Sequence, residues 1–202
     1  MIHLVPIIIG SEKDLDFAKQ IQLFLKLFQL NSIIRVCSAH KSCINLLKIL
    51  KTYEDDENVK TYITIAGKSN ALSALVDGNS TKPIISCPPL KDSSIYDLYS
   101  SVSLPSGISP LTILGAENAA LASAKIYGLY DDSIKKIIQE YKKDMISKLH
   151  INDVKVKYEN SITTKDIDNC VSNTSTNQSL KIVRNGKVRD VYEINDNIYY
   201  LT

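Results

Sequence analysis

Four short clusters of polar and reactive residues in this chain each follow an apolar, strand-sized run. They occupy residues 10–14, 38–41, 67–70 and 86–89. If the four runs are parallel strands of one sheet, their carboxyl ends lie at one edge. Ligands of open parallel sheets bind outside that edge. The four clusters would then line a common site.

The first cluster suits a phosphate or a ribose group. Gly10 and Ser11 lie between an apolar run and a helical pattern, where free backbone N–H groups and a hydroxyl would stand at the positive end of a helix. Asp14 follows within the same turn. The alternative is structural: Ser11, three residues before Asp14, forms a partial capping box that only begins the helix. The spacing alone leaves both interpretations open.

His40 is the candidate acid–base residue. It stands in a predicted loop with a hydroxyl at Ser38 and a cation at Lys41, and an imidazole in such surroundings can move a proton on a phosphorylated substrate. A histidine packed for structural reasons is the alternative. A zinc site that combines His40 with Cys37 and Cys43 has suitable spacing, but no fourth ligand is evident, so we predict no metal.

The third and fourth clusters are less specific. Gly67, Ser69 and Asn70 could line a pocket, or they could simply form the turn between a strand and a helix. Cys87 precedes two prolines, which stiffen its loop. Because no base is reserved for this thiol, we predict a packed small residue at this position and not a nucleophile.

The apolar periodicity predicts an α/β protein in which short β-branched runs alternate with amphipathic helices. The predicted strands are residues 4–9, 33–37, 62–66, 83–87 and 111–114. The predicted helices are residues 14–30, 42–53, a stretch from about 70, 93–101, and 117–127 with a glycine C-cap at Gly128. Strict alternation implies right-handed crossovers and a three-layer parallel sheet of the flavodoxin or Rossmann kind, with an added C-terminal helix.

The chain changes character after this sheet. Residues 131–149 predict a helix with an apolar stripe that must cover either its own domain or, as we prefer, a neighbouring subunit. Residues 151–179 predict a polar linker, disordered at residues 170–179. In residues 180–202, strand-sized runs are separated by turn residues, which predicts the start of an antiparallel meander.

Composition excludes several classes of partner. The 202 residues carry 24 Lys and Arg against 22 Asp and Glu, a net charge of +2, and 44% of them are hydrophobic. This balance predicts no nucleic-acid-binding or membrane-binding surface. Four cysteines without disulfide spacing favour a reducing compartment, and the apolar residues 1–9 are too few to cross a bilayer. We therefore predict a soluble, cytoplasmic protein.

The clusters also match a known family in content and order. The motifs are Gly10-Ser11-x-x-Asp14, Ser38-Ala39-His40-Lys41, Ala66-Gly67-Lys68-Ser69-Asn70, Asp77-Gly78-Asn79, Ser86-Cys87-Pro88-Pro89 and Leu104-Pro105-Ser106-Gly107. Over about residues 4–149 the chain resembles the phosphoribosylaminoimidazole (AIR) carboxylases, lyases of purine (IMP) biosynthesis. It is most similar to the class that uses carbon dioxide directly. The alternative is the mutase class, which isomerises an N-carboxylated nucleotide. Mutases typically have arginine where Lys41 stands and a second histidine in the loop corresponding to residues 67–70.

The resemblance implies a role for each matching residue. His40 would be the catalytic acid–base group at a carbon of the substrate's imidazole ring. The substrate-binding residues would be Ser11, Asp14, Ser38, Lys41, Gly67, Ser69 and Asn70. Lys13 departs from the pattern, since many relatives have serine there. The resemblance implies no metal and no other cofactor for this domain. Its partners would be a small ribonucleotide and carbon dioxide, and it would form a homo-octamer in which the last helix reaches a neighbour.

The tail carries a second resemblance. Residues 186–193 look like the opening of the succinocarboxamide ribonucleotide (SAICAR) synthetase, an ATP- and magnesium-dependent enzyme. The expected organisation is therefore a carboxylase domain at residues 1–150, a linker at 151–179 and the beginning of a synthetase at 180–202. About twenty residues cannot perform the synthetase reaction, so we assign no ligase activity. Two alternatives from other classes are a non-catalytic nucleotide-binding module and a flavodoxin-like electron carrier.

Overall fold

The computed structural model describes residues 2–89, 95–159, 181–185, 190–194 and 197–201. The strands are β1 (Leu4–Ile9), β2 (Asn31–Val36), β3 (Tyr62–Ile65), β4 (Ile84–Ser86), β5 (Leu111–Thr112), β6 (Lys181–Asn185), β7 (Asp190–Ile194) and β8 (Asn197–Leu201). The helices are α1 (Leu15–Leu27), α2 (Cys43–Glu54), α3 (Ala71–Asp77), α4 (Ile95–Val102), α5 (Ala116–Tyr127) and α6 (Asp132–Glu159). A short 3-10 helix, Glu12–Asp14, leads into α1.

Strands β1 to β5 form one parallel sheet in the order β2-β1-β3-β4-β5. Each neighbouring pair is parallel, as expected when every strand returns through a crossover. The carboxyl ends of these strands therefore share one edge. The predicted α/β class, a parallel sheet between two helical layers, is confirmed. β5 is shorter than predicted, with two residues instead of the run 111–114.

Both faces of the sheet are buried at the inner strands β1, β3 and β4, which explains why β1 is continuously apolar, whereas the edge strand β2 is partly exposed and includes polar residues. In β1, Ile7 and Ile9 belong to a core with α1 and α5, whereas Ile8 belongs to a second core with α2 and α3. All three are fully buried, and each contributes about 2 kcal/mol on the usual scale for burial of apolar side chains. α5 packs closely on α1 because its buried positions include the small residues Ala119 and Ala120.

The apolar stripe of α6 divides into two parts. Ile134 and Ile138 are buried in the core with α1 and α5, and the Tyr141 ring meets Phe28 edge-on with centroids 5.2 Å apart. Farther along, Met145 is 47% exposed. Our preferred prediction, that the whole stripe meets a neighbouring subunit, is therefore wrong for the first part. Those residues cover their own domain, because α1 and α5 present apolar side chains there.

α6 also extends beyond its predicted end and continues to Glu159. The first part of the predicted linker, residues 151–159, is therefore helical. One reason is the charge spacing, since Asp153 precedes Lys157 by four residues, an arrangement that stabilises helices. The rest of the predicted linker, including residues 170–179, lies outside the described residues.

Gly128 ends α5, but not as a left-handed cap. Its φ of −64° is an ordinary helical value, so backbone conformation does not require glycine there. A Cβ at this position would lie 3.3 Å from Ala124 O and from Ile138 Cδ1. Glycine at position 128 therefore lets α6 begin close to the end of α5.

The chain divides into two compact units between Lys143 and Asp144. In the second unit, β6, β7 and β8 pair antiparallel in sequence order, which is the meander predicted for residues 180–202. Within the part of the chain that the structure describes, no helix combines the length and the apolar character needed to cross a membrane.

Candidate functional site

A cavity of about 650 Å³ opens where β1 and β2 end beside α2. The two strands are in register up to Ile9 and Val36, and Cys37 N donates to Ile9 O at 2.9 Å, so their exit loops begin side by side. The polar and charged side chains lining the cavity include Ser11, Glu12, Arg35, Ser38, Lys41 and Lys48. The cavity thus brings together three of the predicted site residues, namely Ser11, Ser38 and Lys41.

Ser11 has a structural role and remains accessible. Its Oγ accepts a hydrogen bond from Lys13 N at 3.3 Å and so caps the 3-10 helix, as the structural interpretation predicted. The hydroxyl hydrogen is still available to a ligand, because capping uses only an acceptor site. Asp14 stands at the start of α1, half-buried and outside the cavity lining, and its carboxylate makes no capping bond. Burial raises the pKa of Asp14 above its ordinary value.

The loop between β2 and α2 is a compact turn. Ser42 N donates to Ser38 O at 2.9 Å, and the Cys37 thiol donates to Ser42 O at 3.6 Å. Ser38 and Lys41 line the cavity, while His40 is exposed on the same turn and is not part of the lining. His40 is therefore accessible to a ligand and is not packed among hydrocarbon side chains.

The structure adds lining residues that the sequence analysis did not select. Arg35 lies in β2, and Asn45 and Lys48 lie on α2. Two signals could have found them. Arg35 interrupts the otherwise apolar run Ile33–Cys37, and Asn45 and Lys48 are three residues apart and so share one face of their helix.

The exit of β3 adjoins the exit of β1. Gly10 N donates to Ile65 O at 2.9 Å, and a Cβ on Gly10 would lie 3.6 Å from Ala66 Cβ. The third cluster therefore begins next to the first, although Gly67, Ser69 and Asn70 are not among the lining residues of the β1–β2 cavity.

Asn70 is occupied by structural contacts. Its side chain is 3% exposed, and its Oδ1 accepts from Ser73 N at 3.2 Å at the start of α3. Its Nδ2 donates to Ser86 Oγ at 2.8 Å and to Ser101 Oγ at 2.9 Å. These bonds join the start of α3 to β4 and to α4. In the third cluster a ligand can reach the half-buried Gly67 and the exposed Lys68 and Ser69, of which Gly67 and Ser69 are predicted site residues.

Cys87 fits the predicted packed residue. It is fully buried at the end of β4, and burial raises the pKa of its thiol to about 12. Its Sγ donates to Gly115 O at 3.7 Å. Within the described residues, no three His, Cys, Asp or Glu side chains are grouped closely enough to hold a metal ion.

These features define a class: a doubly wound parallel α/β protein with a positively charged cavity at the carboxyl edge of its sheet. The AIR carboxylase family model matches residues 4–148. The chain therefore belongs to the AIR carboxylase family, whose enzymes act in purine biosynthesis.

Individual relatives agree with this assignment. A phosphoribosylaminoimidazole carboxylase of Treponema denticola is 44% identical over 155 residues, covering 76% of this chain and 98% of that protein. A carboxylase of the same name from Archaeoglobus fulgidus is 42% identical over 139 residues, covering 68% and 76%. A crystal structure of Treponema denticola PurE superposes with a TM-score of 0.74 over 76% of this chain and 98% of that chain, at 44% identity.

A bifunctional carboxylase/succinocarboxamide synthetase of Drosophila melanogaster is 40% identical over 128 residues. The match covers 63% of this chain and only 30% of that protein. The family match ends at residue 148, so the expectation that residues 180–202 begin a synthetase stays a prediction.

Proposed function

We propose that this enzyme carboxylates 5-aminoimidazole ribonucleotide directly with carbon dioxide, giving 4-carboxyaminoimidazole ribonucleotide in a reversible reaction without metal or biotin. The observation that carries the proposal is the cavity itself. It presents the hydroxyls of Ser11 and Ser38 and the ammonium of Lys41 beside the turn that bears an accessible His40. Hydroxyls and cations suit a sugar phosphate, and an imidazole suits proton transfer.

The chemistry needs few groups from the protein. The amino group makes the neighbouring ring carbon electron-rich, so that carbon attacks carbon dioxide and a new C–C bond forms. The same carbon must then lose its proton to restore the aromatic ring. We assign that proton to His40, which returns it in the reverse decarboxylation. The remaining acceleration comes from holding the ring and carbon dioxide together in a confined site.

The choice of the carbon dioxide-using class over the mutase rests on two positions. Lys41 stands where mutases typically have arginine, and the stretch from Gly67 to Asn70 contains no histidine. In the proposed site, Ser11, Ser38 and Lys41 bind the nucleotide, and Gly67 and Ser69 border the ring. Asn70 contributes by holding the β3 exit loop in place.

We also propose that the active form is a homo-octamer. The exposed apolar residues of the later part of α6, Met145 and Leu149, would then contact a neighbouring subunit.

The test is an assay without ATP, with 5-aminoimidazole ribonucleotide and bicarbonate as the source of carbon dioxide. We expect prompt product formation by the wild type and a loss of at least about 100-fold in kcat for His40→Asn, the usual scale of acid–base catalysis. Nucleotide affinity should stay within a few-fold, since the variant keeps the cavity. His150→Asn, an exposed histidine on α6, is the matched control and should behave as wild type.

Two outcomes would contradict the proposal. Turnover of an N-carboxylated nucleotide, without prompt carboxylation from carbon dioxide, would indicate a mutase. Full activity of His40→Asn would remove the imidazole from the mechanism.

A further inference from the structure

The charge on the cavity wall exceeds what the predicted site residues supply. Arg35, Lys41 and Lys48 line the cavity, and Glu12 is the carboxylate among the lining residues. Three cations against one carboxylate leave two positive charges. Within residues 2–89 and 95–159, none of the three cations forms an ion pair with a carboxylate. A phosphate monoester carries about −1.5 to −2 charges at pH 7, so its charge matches the excess.

Arg35 is the most constrained of these cations. Its Nη1 donates to Tyr53 Oη at 3.0 Å, and its guanidinium carbon lies 5.9 Å from the centre of the Tyr53 ring. Tyr53 is only 7% exposed and belongs to the core on the α2 side of the sheet. The bond to Tyr53 uses one of the five guanidinium N–H donors. The planar group is therefore held in one orientation while most of its donors remain for a ligand.

The α2 wall supplies the second cation. Lys48 lines the cavity together with Asn45, three residues earlier on the same helical face, whereas Lys51 of the same helix is exposed and does not line the cavity. Arg35 on β2 and Lys48 on α2 thus belong to the wall formed by the edge strand and its crossover helix. Ser11, at the exit of β1, can donate its hydroxyl hydrogen to a phosphate but supplies no positive charge.

We infer that Arg35 and Lys48 bind the phosphate group of the ribonucleotide, and that Tyr53 is a positioning residue that holds the Arg35 guanidinium for this contact. A guanidinium can bind two phosphate oxygens at once, and fixing its orientation beforehand reduces the entropy lost on binding. The identity of the phosphorylated ligand rests on the proposed function, but the phosphate contact itself does not.

The experiment measures binding of inorganic phosphate and of ribose 5-phosphate to the full chain by isothermal titration calorimetry. Arg35→Lys keeps a positive charge but loses the planar fork, and Lys48→Gln removes a charge. We expect each to weaken binding of both probes about tenfold, in line with the strength of charge-assisted hydrogen bonds. Lys51→Gln removes a charge from the same helix outside the cavity, and we expect it to bind both probes as the wild type does.

Tyr53 is tested through a double-mutant cycle. Tyr53→Phe keeps the ring and removes the hydroxyl that holds Arg35, so we expect a loss of about three- to tenfold in phosphate affinity. In the Arg35→Lys background the same change should cost no further affinity, because Tyr53 acts through Arg35. A general structural effect of Tyr53→Phe would weaken binding equally in both backgrounds and would overturn the positioning role.

The outcomes for this inference and for the proposed function are separable. The inference is overturned if Arg35→Lys and Lys48→Gln bind both probes as tightly as the wild type does, or if the wild type binds no phosphate. Either result counts against it even if the enzyme carboxylates its nucleotide. Losses confined to these two variants support the inference even if the wild type shows no carboxylation, in which case only the proposed function fails.

Discussion

Asn70 offers a sharp test of whether a polar residue at the site edge binds substrate or holds the fold. The family resemblance implies a substrate contact, whereas the structure places its side chain in three hydrogen bonds, with Ser73, Ser86 and Ser101. At 3% exposure the side chain has little surface left for a ligand. The two roles predict different results for Asn70→Ala.

The structural role gives a magnitude. Alanine removes the N-cap of α3, which is worth about 1 kcal/mol. It also removes two buried side-chain hydrogen bonds, worth about 1 kcal/mol each. We therefore expect the free energy of unfolding to fall by about 3 kcal/mol, a large share of the stability of a typical domain.

The assay is urea unfolding of the wild type and the variant, followed by far-UV circular dichroism and tyrosine fluorescence. Asn118→Ala is the control, because Asn118 is exposed and its side chain donates one hydrogen bond, to Leu114 O in the segment just before α5. Its effect should stay within about 0.5 kcal/mol. If Asn70→Ala unfolds at the wild-type midpoint but no longer binds the nucleotide, our assignment of Asn70 is refuted.

Two further predictions concern Asp131 and Gly67. Hydrogen bonds from Ser133, together with the contact to His3, hold the pKa of Asp131 well below its ordinary value of 3.8. The ionised carboxylate therefore stabilises the folded state above pH 3.8, and this stabilisation is lost as the pH falls through the lowered pKa. Asp131→Ala should lower the midpoint of thermal unfolding at pH 7, and the difference in midpoint between wild type and variant should shrink below pH 3.8. A difference that stays constant with pH would contradict this prediction. A Cβ at Gly67 would meet the Pro89 ring at an ordinary 3.9 Å, so Gly67→Ala should unfold within about 0.5 kcal/mol of wild type. Its kcat/KM should nevertheless fall about tenfold or more if the ring of the substrate lies there, and unchanged kcat/KM would place Gly67 outside the site.

The fold could be predicted because its signals are local. Runs such as Leu4–Ile9 are continuously apolar and mostly β-branched, and the helices between them repeat apolar residues at three- and four-residue spacing. Local signals fail where a boundary depends on remote packing. The stripe on α6 is uniform in sequence, but Ile134 and Ile138 are buried in the core with α1 and α5, whereas Met145 is 47% exposed. The spacing of apolar residues along a helix does not show where the surface that packs against the helix ends.

The site could be predicted only in part, for the same reason. Ser11, Ser38 and Lys41 lie in the exit loops of β1 and β2, and the rule that parallel strands end together places these loops at one edge. Asn70 follows a strand too, but its partners Ser86 and Ser101 are 16 and 31 residues away, so only the tertiary structure shows that its amide is occupied. Arg35 lies inside a strand, where the sequence does not show which face of the sheet receives its side chain.

The strand order explains why the cavity lies where it does. After β1 the chain moves outward to β2, and it then returns across β1 to place β3 on the other side. The two crossover helices therefore lie on opposite faces, α1 in one core and α2 in the other, and the strand exits beside β1 are left uncovered. Doubly wound sheets bind ligands at this kind of switch point.

A ribonucleotide has one strongly charged end and one flat, weakly polar end. On the proposed assignment, the Arg35–Lys48 wall on the β2 side suits the first end. The exits of β1 and β3 suit the second, because Gly10 and Gly67 have no side chain and let a flat ring approach the backbone closely.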